Sequence, residues 1–248
     1  MKVVIVGYGR MGRLIEEVLH ERGHGVKCRV DNAGSGDEST VNHDILNGAD
    51  GVIEFALAEG VKERIEIYAA SGLPAVIGTT GWNDLETAAK ARYSSSAGAL
   101  LRGTNFSLGA HLFFRLTAMA AKLLNNAEEY DVALTEYHHR AKADYPSGTA
   151  LTAAEGMLAA LDRKKRILTD LSDTPIPHDA LQVAAIRLGS VPGIHELRMD
   201  SPFDSLVIRH EARNRRGFAL GAVRGLEWLD GKTGWYEADE FINDILSE

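Results

Sequence analysis

The sequence lacks several features, and each absence narrows the class of protein. Its 248 residues include a single cysteine, Cys28, which excludes an internal disulfide bond and suits a reducing compartment. No segment approaches the roughly 18 apolar residues that a membrane helix needs. The formal net charge of −8 argues against binding to nucleic acid or to an anionic membrane. Residues 1–10 form too short an apolar run for a signal peptide, so we expect a cytoplasmic protein.

Short β-branched runs alternate with helix-period segments over about the first hundred residues. Residues 2–6 predict a buried strand, and Leu14, Ile15, Val18 and Leu19 lie at helical spacing before Gly23. Further strands are predicted at 25–31, 51–56 and 74–81, with a helix at 61–70 between the last two. This alternation predicts an α/β fold with a Rossmann-type, doubly wound parallel sheet.

The pattern changes after about residue 104. A capped apolar helix is predicted first, and a longer strand over residues 130–139 follows it. Strand-like runs then follow in succession at 182–188, 194–199 and 205–212. Successive strands predict an α+β domain with a mixed or antiparallel sheet. We therefore expect a dinucleotide-binding domain (1–104), a substrate-binding and oligomerisation domain (105–216), and C-terminal helices (217–248) that return to the first domain.

A G-x-G-x-x-G turn, formed by Gly7, Gly9 and Gly12, stands between the first strand and the first helix. In a dinucleotide site these glycines allow the tight turn, the approach of a pyrophosphate and close helix–strand packing, while the helix N-terminus faces the phosphates. Asp31 ends the second strand, where an acid accepts hydrogen bonds from the ribose hydroxyls. The plainer alternative is an ordinary turn, with Asp31 beginning a loop.

Asp31 also bears on the choice of cofactor. A carboxylate there accepts from both ribose hydroxyls of NADH and repels the 2′-phosphate of NADPH. Asp37 and Glu38 follow in a run without Lys or Arg, and Arg10 is the one nearby cation that could reach a phosphate. We expect NADH to be preferred over NADPH.

A basic stretch precedes a second helix start. His138, His139, Arg140 and Lys142 come just before Ser147–Thr149, where a helical apolar face begins. Such a helix terminus with a lysine beside it suits a carboxylate, and a histidine donates a proton near neutral pH. Simple N-capping and a solvated basic loop are the alternatives. No metal site is predicted, because adjacent histidines point to opposite faces of a strand.

Residues 136–150, "EYHHRAKADYPSGTA", resemble the E-x-H-H-x-x-K-x-D-x-P-S-G-T-A signature of the dihydrodipicolinate (4-hydroxy-tetrahydrodipicolinate) reductase family. "VGYGRMGR", "VIGTTGW" and "TNFSLGA" resemble its nucleotide loop, its nicotinamide strand end and its inter-domain hinge. The resemblance covers nearly the whole chain. Tyr145 departs from the small residue that usually precedes this proline, and the loop over residues 33–40 is short.

The resemblance implies reduction of a cyclic, unsaturated dicarboxylate to tetrahydrodipicolinate by NADH or NADPH, on the route to diaminopimelate and lysine, by a homotetramer. His138 would be the catalytic acid, with Lys142 the second catalytic residue. The expected substrate contacts are His139, Lys142, Ser147, Gly148, Thr149 and Arg215. The expected cofactor contacts are Gly7, Gly9, Arg10, Met11, Gly12, Asp31, Phe55, Gly78, Thr79, Thr80, Asn105 and Phe106. From the sequence alone, Thr79 and Thr80 fit the role of turn residues as well as that of cofactor contacts.

Two other functions stay open at this point. Another imine- or amino-acid-directed dehydrogenase would reuse the glycine turn without needing the H-H-x-x-K and S-G-T residues. A non-catalytic NAD(P)H sensor would bind the cofactor without turnover, although the combination of a histidine with nearby cations favours an enzyme.

Overall fold

The computed structural model describes residues 1–170 and 173–247, and the chain divides into two compact units. The first unit comprises residues 1–108 and 215–248, and the second comprises residues 109–214. Among the helices of the described residues, none is both long and apolar enough to cross a membrane.

Strands and helices alternate along much of the chain. The strands are β1 (Lys2–Val6), β2 (Gly25–Val30), β3 (Gly51–Glu54), β4 (Ala75–Ile77), β5 (Ala99–Arg102), β6 (Asp131–His138), β7 (Arg166–Leu168), β8 (Ala180–Arg187), β9 (Ile194–Asp200), β10 (Ser205–Glu211) and β11 (Gly234–Glu237). The α-helices are α1 (Arg10–Glu21), α2 (His43–Leu46), α3 (Val61–Ser71), α4 (Glu86–Tyr93), α5 (Leu108–Leu123), α6 (Gly148–Ala160), α7 (Arg216–Trp228) and α8 (Ala238–Ser247). Short 3-10 helices occupy Asn83–Leu85 and Leu124–Asn126.

The first unit is built on one parallel sheet in the order β11-β5-β4-β3-β1-β2. Its central strands are buried on both faces, which explains why they read as continuous apolar runs rather than as alternating ones. The predicted Rossmann-type sheet is confirmed. The edge strand β11 was not predicted, since it is four residues long and lies between two helical segments.

Helices cover both faces of this sheet, and each face has its own core. Val3, Ile5 and Ile53 face one side, where residues of α1, α7 and α8 pack against them. Val4, Val52 and Ile77 face the other side, with residues of α3 and α4. Because side chains alternate along a strand, neighbouring residues of β1 enter different cores.

The second unit has a mixed sheet in the order β10-β9-β6-β8-β7. β6 is antiparallel to β9 and parallel to β8, so the predicted mixed sheet is confirmed. β6 alternates strictly, with Val132, Leu134, Glu136 and His138 all buried. The first two pack in a core with residues of α5 and α6. A carboxylate and an imidazole thus continue the core-facing row toward the end of the strand.

Candidate functional site

The glycine turn of the first unit follows β1 directly. Gly7 has a φ of +89°, and a Cβ there would lie 2.3 Å from the carbonyl oxygen of Phe55. A Cβ on Gly12 would lie 2.3 Å from the carbonyl oxygen of Gly7, so only glycine allows α1 to approach the turn. Gly9 is the N-cap of α1, and a Cβ there would meet no atom within 4 Å. The turn therefore leaves open space at the helix N-terminus, where an anion is favoured.

A cavity of about 540 Å³ lies beside this turn. Gly7, Gly9, Asp31 and Phe55 line it, and all four are among the predicted cofactor contacts. No local pattern pointed to the remaining lining residues, which include Asn32, Ser39, Thr40, Ala56, Leu57, Glu59, Glu63 and Arg64. Asp31 follows β2 and accepts a hydrogen bond from the Ser35 amide at 3.2 Å.

Arg29, on β2, anchors two loops near the cavity. Its guanidinium pairs with Glu16 on α1 and, at 3.2 Å, with Asp37. Glu16 also accepts a hydrogen bond from the hydroxyl of Tyr8, which stands inside the glycine turn. The hydrogen bond from Arg29 is the main cause that lowers the pKa of Glu16 to about 2, against the opposing effect of burial. The turn and the loop that follows Asp31 are thus tied to one guanidinium.

Thr79, predicted to contact the cofactor, has its side chain engaged within the first unit. Its hydroxyl donates to Glu54 Oε1 at 3.0 Å and accepts from the amide of Ala56 at 3.0 Å. Glu54 is fully buried at the end of β3 and also accepts from the hydroxyl of Tyr68 at 2.6 Å. Thr80 is exposed. The Thr79 hydroxyl therefore fixes the segment after β3.

Arg64 is the cationic partner of Glu54. Its Nε and Nη2 atoms each lie 3.0 Å from a different oxygen of that carboxylate, a bidentate pair. The same guanidinium donates to the carbonyl oxygens of Leu57 and Glu59, both at 2.7 Å. Burial opposes the charge of Arg64, but Glu54 outweighs it and raises the pKa of the guanidinium. The pair fixes the β3–α3 loop that forms one wall of the cavity.

Two further predicted cofactor residues, Gly78 and Phe106, lie against Phe55 near the end of β4. The rings of Phe55 and Phe106 meet edge-to-face with centroids 6.0 Å apart. A Cβ on Gly78 would lie 2.2 Å from the Phe55 ring, so the glycine makes room for it. Asn105 accepts a hydrogen bond from the amide of Ser107 at 2.9 Å. Arg10 and Met11 lie in the first turn of α1, and Arg10 is exposed.

In the second unit, the fully buried carboxylate of Glu136 is the centre of a polar cluster. Its Oε1 accepts from the Ser147 amide and from Arg187 Nη2, both at 3.0 Å. Its Oε2 accepts from the Ser147 hydroxyl and lies 3.3 Å from His138 Nδ1 and 3.6 Å from His195 Nε2. Burial raises the pKa of Glu136, but the close contacts with His138 and His195 and the hydrogen bonds from Ser147 outweigh it and hold this pKa far below its ordinary value.

Strand pairing explains how distant residues meet at this cluster. Glu136 on β6 stands opposite His195 on β9, and His138 on β6 stands opposite Arg187 on β8. The rings of His138 and His195 contact each other edge-to-face with centroids 5.1 Å apart. Among the described residues, Glu136, His138 and His195 also form a group whose ligand atoms all lie within 4.8 Å of one another, close enough for a metal ion. Spacing along the chain could not reveal this group, because His195 comes from a separate strand.

Lys142 has an anionic partner within its own loop. Its Nζ lies 2.7 Å from Asp144 Oδ1 and 2.9 Å from Oδ2. Burial raises the pKa of Asp144, but Lys142 and the backbone at Gly148 outweigh it and lower this pKa. The Asp144 carboxylate thus contacts the lysine and the helix start that the sequence assigned to a substrate carboxylate.

The start of α6 combines an N-cap with an open position. Ser147 caps the helix, since its hydroxyl accepts from the Ala150 amide at 3.2 Å. A Cβ on Gly148 would meet no atom within 4 Å, whereas Thr149 is half-buried. Because Ser147 is buried and bound to Glu136, its hydroxyl is already engaged, and the free space lies at Gly148. N-capping and an anion site are compatible here.

The two remaining predicted substrate contacts lie outside this cluster. His139 follows β6 and is half-buried. Arg215 is the exposed N-cap residue of α7 and belongs to the first unit. The polar cluster of the second unit therefore comprises Glu136, His138, Lys142, Asp144, Ser147, Arg187 and His195.

Comparison with known families covers nearly the whole chain. Residues 1–106 match the model "Dihydrodipicolinate reductase, N-terminus", and residues 109–242 match "Dihydrodipicolinate reductase, C-terminus". The chain belongs to the dihydrodipicolinate reductase family. The resemblance drawn from the sequence motifs is thereby confirmed.

Individual relatives agree with this family assignment. A 4-hydroxy-tetrahydrodipicolinate reductase of Christiangramia forsetii is 34% identical over 247 residues, covering 99% of each chain. The enzyme of the same name from Chromobacterium violaceum is 36% identical over 263 residues, covering 97% of each chain. Among solved structures, the dipicolinate-bound dihydrodipicolinate reductase from Paenisporosarcina sp. TG-14 has a TM-score of 0.75 at 18% identity, covering 96% of this chain and 97% of that one. At that identity the structure supports the shared fold alone.

Sequence reasoning missed several members of the polar cluster of this reductase-family chain. Glu136 stands inside the quoted signature, and its place on the apolar face of an alternating strand was a usable signal. Asp144 also stands in the signature, two residues from Lys142. His195 and Arg187 come from other strands, and no local pattern distinguishes them from ordinary strand residues.

Proposed function

We propose that the protein reduces 4-hydroxy-tetrahydrodipicolinate, through its unsaturated dihydrodipicolinate form, to tetrahydrodipicolinate with a reduced nicotinamide cofactor, as a step toward diaminopimelate and lysine. The observation that carries the proposal is the match of both family models over residues 1–106 and 109–242. The chain is accordingly an NAD(P)-dependent oxidoreductase. The proposed residue roles rest on the geometry of each unit.

In the first unit, the cavity beside the glycine turn is the proposed cofactor site. The open position at Gly9 leaves room for a pyrophosphate at the N-terminus of α1. Asp31 lines the cavity and would accept hydrogen bonds from the ribose hydroxyls. The cofactor itself supplies the hydride, and the protein binds and orients it.

In the second unit, His138 is the proposed proton donor, and Lys142 with the start of α6 holds a substrate carboxylate. Hydride addition to the conjugated ring leaves negative charge on the substrate, which one proton neutralises. A dianionic substrate needs local cations because the protein carries a net charge of −8. His139, Thr149 and Arg215 are proposed as further substrate contacts.

We also propose that NADH is preferred to NADPH. Asp31 would repel a 2′-phosphate, and Arg29 is already paired with Glu16 and Asp37. Arg10 is exposed at the start of α1 and is the candidate for compensating contact. The test is kcat/KM for each cofactor, in the native protein and in Asp31→Ala and Arg10→Ala. A native preference for NADPH would refute the expected preference, and its loss in Arg10→Ala would attribute it to Arg10.

A homotetramer is proposed on the family resemblance and on the outer face of the second unit's sheet. α5 and α6 contribute to the core on one face, whereas Ile186 and Val207 stand exposed on β8 and β10. Exposed apolar residues on a sheet favour association with another chain. Sedimentation of the native protein and of Val207→Asp tests this, and a native monomer at micromolar concentration would rule it out.

The activity itself is tested by steady-state oxidation of NADH with enzymatically generated dihydrodipicolinate. Turnover of that substrate, with none on a panel of amino acids, supports the proposal. Turnover of an amino acid alone would favour the dehydrogenase alternative, and cofactor binding without any turnover would favour a sensor. Neither alternative requires the cluster around Glu136.

A further inference from the structure

The carboxylate of Glu136 occupies a position where an apolar side chain would be the simpler choice. It follows Val132 and Leu134 on the core-facing side of β6 and is fully buried. A buried charge is unfavourable unless it is paired and hydrogen-bonded. Here Arg187 supplies the opposite charge, and the amide and hydroxyl of Ser147 supply two hydrogen bonds. The protein therefore maintains an ionised carboxylate inside the unit.

The ionised carboxylate faces one particular nitrogen of His138. Glu136 Oε2 lies 3.3 Å from Nδ1 as a charge contact without hydrogen-bond geometry, and this buried nitrogen has no hydrogen-bond partner among the described residues. The other nitrogen, Nε2, points toward Gly193, where an added Cβ would lie only 3.0 Å from it. Gly193 has a φ of +158°, so the backbone and the ring both favour glycine there. The ring is thus oriented with Nδ1 toward Glu136 and Nε2 away from it.

Arg187 and His195 hold the carboxylate in this place. Arg187 donates to Glu136 and also, at 2.5 Å, to the carbonyl oxygen of Asp144, which links the carboxylate to the loop of Lys142. His195 packs against His138 and brings Nε2 to 3.6 Å from Glu136 Oε2. Moving the carboxylate away from His138 would therefore break contacts from two other strands.

We infer that Glu136 is a positioning residue for the reaction: its carboxylate, 3.3 Å from Nδ1, holds the His138 ring in place so that Nε2 is the proton-donating atom. The inference rests on the proposed function, in which His138 is the acid. The reduced nicotinamide transfers a hydride and is oxidised, and Nε2 supplies a proton, so the substrate gains both. His138 is left neutral with its remaining proton on Nδ1, and Glu136 stays ionised throughout. Solvent then returns the proton to Nε2.

A metal ion is the competing interpretation of the same residues. Glu136, His138 and His195 offer three ligand atoms within 4.8 Å of one another. However, Arg187 and Ser147 already donate to both oxygens of the carboxylate. A divalent ion would stand beside the guanidinium and would have to displace the Ser147 hydroxyl. The charges favour a hydrogen-bonded acid over a metal site, and metal content becomes one outcome of the test.

The main experiment compares Glu136→Gln with the native protein in kcat and KM. Removing the charge that holds the His138 ring should lower kcat roughly tenfold or more, while KM stays within about twofold because the substrate contacts are unchanged. NADH affinity should stay unchanged, because the proposed cofactor cavity is lined by residues of the first unit.

Several charged or titratable groups face His138. These are Glu136 on the same strand, Arg187 on β8 and His195 on β9, with His210 on β10 stacked on His195 at 6.2 Å. Burial, and to a smaller extent His195, lower the pKa of His210. Glu196→Gln is the matched control. It makes the same change on β9, but this side chain pairs with Arg198 and Arg209 and should leave kcat unchanged.

Failure of the inference is separable from failure of the proposed function. If His138→Gln keeps native kcat, the acid role itself is wrong. If His138→Gln is slow but Glu136→Gln keeps native kcat, only the positioning role is wrong. Stoichiometric zinc in the purified protein, with loss of activity on chelation, would replace the inference with a metal site. If Glu136→Gln does not fold, Glu136→Asp keeps the buried charge but withdraws it from His138. In that variant an unchanged kcat overturns the inference, and a reduced kcat with KM near the native value supports it.

Discussion

Replacing Asp144 with asparagine should strengthen the binding of a planar dicarboxylate. Asp144 contacts Lys142 through both carboxylate oxygens, at 2.7 and 2.9 Å, and a substrate carboxylate would compete for the same ammonium group. Asparagine keeps the size of the side chain and removes its charge. The lysine would then be available without first releasing an internal partner.

The exposure of the pair sets the size of this effect. The side chain of Asp144 is 52% exposed and that of Lys142 is 24% exposed, so the pair resembles a surface ion pair. Such pairs contribute about 0.2–1 kcal/mol. Removing the competition should therefore lower the Kd of pyridine-2,6-dicarboxylate by a factor of roughly 1.4 to 5. The gain should shrink as salt is added, because exposed charges are screened.

Isothermal titration calorimetry of pyridine-2,6-dicarboxylate into each variant measures this directly. Asp179→Asn is a matched control: Asp179 is 49% exposed and pairs with Arg166 in the same unit, and its replacement should leave the Kd unchanged. Lys142→Ala should weaken binding by about 1.5–3 kcal/mol, the range for a charge-assisted contact. Unchanged or weaker binding in Asp144→Asn would show that Asp144 orients Lys142 rather than competing with the ligand.

Three further outcomes are expected. His138→Gln should lower kcat roughly 10²–10⁴-fold with NADH binding nearly unchanged, and a kcat within about twofold of native would move the proton to another group or to solvent. Arg64→Met should lower the free energy of unfolding in urea by about 3–5 kcal/mol, because it leaves Glu54 charged and buried. Adding Glu54→Gln should recover much of that loss, and equal stability of the single and double variants would contradict the pairing. The lowered pKa of Glu16 contributes stability that is present above pH 4.5 and lost as the pH falls toward 2. The native protein should therefore have a higher Tm than Glu16→Gln above pH 4.5, and this difference should vanish as the pH falls toward 2. A Tm difference that stays constant over this range would contradict the role of Glu16.

Much of the fold follows from local patterns. The buried parallel strands of the first unit read as apolar runs, and the strands of the second unit read as alternating ones, so their sheet types were predictable. β7 and β11 were missed because they are short and only partly buried, so neither gives the continuous apolar run that marks β3 and β4. Their places depend on pairing with β8 and β5, which no local pattern records.

Those parts of the site that depend on consecutive residues could be predicted before the fold was known. Gly7 and Gly12 are required by backbone contacts near the turn, and their spacing, together with the flanking strand, the following helix and Asp31, predicted a nucleotide site. The signature at residues 136–150 likewise placed His138 and Lys142 just before the start of a helix. In both cases the chemistry comes from one strand end and the helix that follows it, so chain order and spatial order agree.

Which side chains surround these residues is determined only by the tertiary structure. Strand register brought His195 and Arg187 to Glu136, from positions 59 and 51 residues away along the chain. The tertiary structure also places Asp144 in contact with Lys142, and one nitrogen of His138 lies 3.3 Å from a buried carboxylate. The physical reason is that hydrogen bonds and charge pairs act over a few ångströms, and the distances between side chains on different strands are set by sheet pairing rather than by local sequence.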